Sequence, residues 1–79
     1  MLNRFALVGR LLEIKDNSIV IESGTDKLAI KVSSNLFEKI QNYCKIGGVI
    51  GIKGKISSND IPLLVADIIT FLSTKKSAN

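Results

Sequence analysis

The chain contains no histidine and no tryptophan, and only one cysteine, one proline, one tyrosine and three phenylalanines among its 79 residues. Each shortage excludes a class of chemistry. Without imidazole there is no histidine general acid or base and no histidine-centred triad. One thiol, Cys44, with no histidine cannot assemble a structural zinc site. A lone cysteine also cannot form an intramolecular disulfide, which fits a reducing cytoplasm. The seven carboxylates are scattered, and no spacing argues for a paired acid and base. An enzyme is therefore not expected, nor is a cofactor or a metal. No apolar run approaches the ~18 residues that span a bilayer. The opening residues Met1 to Arg10 lack the apolar stretch and cleavage site of a secretion signal. The expectation is a cytoplasmic protein without a membrane partner.

What is abundant is β-forming aliphatic side chains: isoleucine, leucine and valine make up about a third of the residues. A chain this short folds as one domain and buries only about 60–65% of its unfolded surface. So large an apolar supply suggests that some of it is covered by another subunit. The net charge is +4, from 11 basic and 7 acidic residues. A basic excess favours a polyanion such as nucleic acid, and it also lies within the ordinary range for a small domain.

The hydrophobic period places the elements. Residues 3–15 read as a long strand, with Phe5, Leu7, Gly9 and Leu11 on the core phase and Arg4, Ala6, Val8 and Arg10 on the other. Gly9 suits a bend or bulge. Asp16 and Asn17 form a turn before the β-branched run Ile19 to Ile21, and Ser23 to Asp26 form the next. Leu28, Ile30 and Val32 then alternate with Lys27, Ala29 and Lys31. The period changes to helical at Leu36, Phe37, Ile40, Tyr43 and Cys44. Ser33, Ser34 and Asn35 offer capping oxygens, with Glu38 at capping-box spacing from Asn35. Gly47 and Gly48 are expected to end the helix. Residues 49–56 return to a strand with Ile50, Ile52 and Ile56 on one face, and a last strand runs from Pro62 to about Leu72. The fold class expected is all-β: a five-stranded OB-fold barrel with one α-helix between strands 3 and 4. It occupies residues 1–73, with a short polar tail at 74–79. Phe5, Phe37 and Phe71 read as core, Tyr43 as half exposed, and Cys44 as a small buried hydrophobe.

Two phosphate-binding motifs are rejected. Gly54-Lys55 lacks the glycine and the hydroxyl residue that a phosphate loop needs at 49 and 56. Gly51 to Gly54 has the spacing of a KH loop, but Ser57 to Pro62 cannot begin the helix that such a loop leads into.

Met1 to Leu11 (MLNRFALVGRL) resembles the opening of bacterial single-stranded-DNA-binding proteins. Glu38 to Gly47, with Asn42-Tyr43 and Lys45-Ile46-Gly47, is similar to their helix segment. Val49 to Ile56 resembles the strand that follows, and Val65 to Leu72 (VADIITFL) resembles their closing strand. The resemblance implies an OB fold that binds single-stranded DNA as a homodimer or homotetramer, with strand one in the dimer contact. The departures are as informative. The hairpin between strands 2 and 3, which wraps DNA in that family, is cut to Ser23-Gly24-Thr25-Asp26. A family tryptophan aligns with Ser33, and an aromatic aligns with Lys27. Stacking contributes roughly 1–3 kcal/mol per base, so two lost platforms imply weak binding. The chain ends Lys75-Lys76-Ser77-Ala78-Asn79 rather than in an acidic tail, so recruitment of repair enzymes through such a tail is not expected.

The candidate nucleic-acid-binding residues are Arg4, Arg10, Lys27, Lys31, Lys53 and Lys55. They lie on the outward phases of strands one, three and four, where they could track a phosphate backbone. Lysine also belongs on any exposed strand face, where it discourages edge aggregation, and the sequence leaves both readings open. The expected function is sequence-tolerant binding of single-stranded nucleic acid in replication, repair or a mobile element, with replication proteins as possible partners. Two alternatives stand beside it: a primosomal-type protein–protein module and an RNA-binding OB domain.

Overall fold

Two tight hairpins build the first half of the protein. The computed structural model describes residues 3–57 and 62–73. Strand β1 (Arg4–Lys15) turns through Asp16 and Asn17 into β2 (Ser18–Ser23), which turns through Gly24 and Thr25 into β3 (Asp26–Lys31). Asn17 and Gly24 carry the positive φ values, 55° and 65°, that two-residue hairpin loops require. Helix α1 (Ser34–Tyr43) follows, then β4 (Val49–Ser57) and β5 (Leu63–Phe71). Residues 1–2, the loop at 58–61 and the expected tail at 74–79 lie outside the described residues.

The strands pair in the order β1-β2-β3-β5-β4, and β4 returns to β1 to close the barrel. All seams are antiparallel except β3–β5, which is parallel and has only two residue pairs, Ile30 with Leu64 and Lys31 with Val65. Strand β1 serves two neighbours. Arg4 to Arg10 pair with β4, and Arg10 to Lys15 pair with β2. The barrel interior holds Leu11, Ile19, Ile21, Ile30, Ile50, Ile52 and Ala66, and Val32, Ile40 and Cys44 complete the core. Each fully buried leucine or isoleucine contributes roughly 1.5–3 kcal/mol. The five-stranded all-β class with its single helix between strands 3 and 4 agrees with the sequence reading, as do the inward phases of β1, β3 and β4.

Three local expectations need correction. The bulge in β1 falls at Leu12, where the register with β2 slips, and not at Gly9. Gly9 continues the ladder opposite Ile50. Its glycine is required because a Cβ there would collide with the Ile21 side chain and the Glu22 carbonyl. The helix is capped by Ser33, whose hydroxyl accepts from the Leu36 amide at 3.2 Å, rather than through Asn35 and Glu38. It ends at Tyr43, with the Cys44 amide donating to the Ile40 carbonyl at 2.9 Å. Gly47 and Gly48 instead extend the β1–β4 ladder. The Gly47 amide donates to Leu11, and the Leu11 amide donates to Gly48, at 2.7 and 2.8 Å. Gly47 needs its freedom for a φ of 93°.

Candidate nucleic-acid interface

Register decides which of the six candidate cations meet. On the outer face of β1–β4, Arg4 stands opposite Lys55, and Ala6 stands opposite Lys53. All three cations are exposed. Like charges directly opposed across a ladder destabilise it slightly, and an anion laid between them relieves that repulsion. On the outer face of β2–β3, Lys31 is opposite Ser18, whereas Lys27 is opposite Glu22. Arg10 lies where β1 meets both neighbours, paired with Glu22 on one side and Val49 on the other. Its guanidinium Nη1 donates to the Gly47 carbonyl at 3.0 Å. The six cations therefore form two separate groups, with Arg10 between them.

The structure adds Lys15 to the second group. It pairs with Ser18, which pairs with Lys31, so Lys15, Ser18 and Lys31 form one row beside the β1–β2 turn. Lys15 was missed because Arg10 and Lys15 sit on opposite phases of an unbroken strand. The slip at Leu12 brings both outward. The adjacent apolar residues Leu11 and Leu12, followed by the polar-apolar-polar run Glu13 to Lys15, were the available signal. Lys15 also approaches Glu13 to 3.9 Å, the only ion pair among the described residues. Exposed pairs of this kind are worth little.

Beside this row lies an open groove of about 450 Å³. It is lined by the turn Asp16 to Ser18, by Ala29 and the backbone beside the buried Ile30 on β3, and by Leu63 of β5. Lys31 stands at its edge. The groove joins the β1–β2 turn to the beginning of β5, the region that OB folds use for oligonucleotides.

A second surface is apolar. Across β1, β4 and β5, the outward residues Val8, Gly51 and Thr70 share one row, flanked by Ile68 and Leu72. Val8, Ile68 and Leu72 are each more than half exposed. The aromatics offer little stacking surface here. Phe5, Phe37 and Phe71 pack against the core. Tyr43 is exposed, and its ring lies tilted against Phe71 with centroids 5.9 Å apart. Burial pushes the Cys44 thiol above its ordinary pKa, which makes it a poor nucleophile. Among the described residues, no group of three or more potential metal ligands occurs, and no helix is long and apolar enough to cross a membrane.

Closure of five strands in this order, with the helix between β3 and β4, defines an OB fold. Solved structures share it along nearly the whole chain. One crystal form of the mitochondrial single-stranded-DNA-binding protein Rim1 from S. cerevisiae superposes with a TM-score of 0.84 at 18% identity, covering 98% of this chain and 100% of that one. A selenomethionine-labelled second form gives 0.84 at 16% identity, covering 94% and 98%. The unlabelled second form gives 0.79 at 17% identity, covering 98% and 100%. No family model matches the sequence, and no curated protein matches it.

Proposed function

We propose that this OB-fold protein binds single-stranded DNA without sequence preference, in replication, repair or a mobile element. The observation that carries the reading is the Lys15–Ser18–Lys31 row beside the groove between the β1–β2 turn and β5. The lysines hold phosphates, and the exposed apolar side chains of Ala29 and Leu63 receive a base edge or face. The first group, Arg4, Lys53 and Lys55, continues the path for a strand that wraps the barrel. The likeness to the single-stranded-DNA-binding Rim1 structures supports the same ligand. With no tryptophan to stack on, most of the binding free energy is electrostatic, so affinity falls steeply with salt. The working form is a homodimer or homotetramer in the cytoplasm, since linking weak grooves raises avidity. Two features support the oligomer: the exposed strip around Val8, Ile68 and Leu72, and the edge of β1, which β2 pairs only from Arg10 onward.

Fluorescence anisotropy with labelled oligo-dT of about 35 nucleotides, in low and moderate salt, tests the reading. Binding at micromolar concentration or tighter that weakens with salt supports it. No binding in low salt rejects it in favour of the protein–protein module, for which the Val8–Leu72 strip is the specific observation. Tighter binding to oligo-U than to oligo-dT favours the RNA reading.

A further inference from the structure

Three rows of side chains cross the outer face of β1–β2–β3. Nearest the β1–β2 turn are Lys15, Ser18 and Lys31, and next come Glu13, Val20 and Ala29. Nearest the β2–β3 turn are Arg10, Glu22 and Lys27. The first and last rows each carry two cations, yet they are not equivalent. In the last row a carboxylate stands between the cations. In the first row the central residue is the neutral Ser18. Side chains directly opposed on one face have Cβ atoms about 4.5–5.5 Å apart. A phosphate held by Arg10 or Lys27 would thus stand within one Debye length of the Glu22 charge, ~8 Å at physiological salt. Arg10 is further engaged by the Gly47 carbonyl at 3.0 Å. At the groove end Glu13 lies 3.9 Å from Lys15 in an exposed pair and Asp16 lines the groove, but the residue directly opposite both Lys15 and Lys31 is the neutral Ser18.

Building on the single-strand reading, we propose that Glu22 determines where the bound strand can run. It repels phosphates from the β2–β3 end of the face, confines the strand to the groove end, and keeps Lys27 out of the contact. The short hairpin Ser23 to Asp26 adds no further cation on this side beyond Lys27.

The test uses the full chain, oligo-dT and anisotropy. Glu22→Gln is compared with Glu38→Gln, an equal change of net charge at an exposed position on α1. Glu22→Gln is expected to tighten binding at least about threefold more than Glu38→Gln. Lys27→Ala is expected to weaken binding less than about twofold in the natural background and at least about fivefold in the Glu22→Gln background, the coupling that two interacting sites produce. Equal effects of the two glutamine variants, or an equal effect of Lys27→Ala in both backgrounds, would overturn the proposal while leaving single-strand binding intact. Failure of the natural chain to bind oligo-dT in low salt would remove both.

Discussion

Gly54 of β4 sits so close to Val65 of β5 that no side chain can enter between them. A Cβ at Gly54 would collide with the Val65 carbonyl oxygen and approach the Ala66 Cα to 2.9 Å. These are backbone atoms, and they cannot give way without breaking the ladder. The contact coincides with the register shift in β4–β5, which places Gly54 opposite Ala66 and leaves Asp67 as the extra residue. Gly54→Ala is expected to lose about 2–3 kcal/mol in urea denaturation. Gly51→Ala, whose new Cβ would lie in ordinary contact at 3.8 Å, is expected to be neutral or to gain up to about 1 kcal/mol. Similar losses at the two positions would refute the close-approach account.

Ser33 is the second sharp test. Its hydroxyl caps α1 through the Leu36 amide, so Ser33→Ala is expected to cost about 1 kcal/mol. Asn35→Ala, which removes no such bond, is expected to change stability by no more than a few tenths of that. Ser33→Trp, which would introduce a stacking aromatic at the start of the helix, loses the same cap. Any gain in base stacking would come with a less stable helix. Thermal or chemical unfolding of the three variants separates these contributions.

Much of this fold was legible before any coordinates. The alternation Leu28, Ile30, Val32 against Lys27, Ala29, Lys31 specifies both a strand and its buried side. The turn pairs Asp16-Asn17 and Gly24-Thr25 specify two hairpins, because few residues tolerate the backbone they demand. What stayed hidden depends on partners distant in sequence. Gly9 reads as a bend until Ile21 and Glu22 are seen pressing on it, and Gly47 reads as a helix stop until Leu11 is seen bonding it. The same limit applied to the site. Six cations could be placed on outward phases, but only the register reveals that Arg4 faces Lys55, that Lys27 faces Glu22, and that Lys15 belongs with Lys31.

The two basic groups can be weighed separately. Lys15→Gln with Lys31→Gln is expected to lower oligo-dT affinity about tenfold and to reduce the slope of log affinity against log salt by roughly two contacts. Lys53→Glu with Lys55→Glu is expected to lower affinity by more than about tenfold through both lost attraction and added repulsion. Unchanged affinity in the second pair would take β4 out of the binding path and confine the strand to the β2–β3 side.

The apolar strip predicts association. Val8 and Ile68 are exposed on the β1–β4–β5 face, and none of the described residues covers them. Sedimentation of the natural chain at tens of micromolar, the range in which weak interfaces are populated, is expected to show a dimer or larger species. Val8→Asp with Ile68→Asp is expected to give a monomer that remains folded by circular dichroism. A natural chain that sediments as a monomer would contradict the oligomer, whatever the variant does.

The slip at Leu12 has a consequence for how such a chain can change over generations. Upstream of it, even-numbered positions of β1 face outward, and downstream the odd-numbered ones do. Removing that one residue would merge the two phases into one unbroken alternation. Glu13 and Lys15 would keep their outward face and Ile14 its inward one, in step with Arg10 and Leu11. The two-residue hairpin loops have no residue to spare. At Leu12 the chain has one: a single codon lost there leaves every later residue's address as it was.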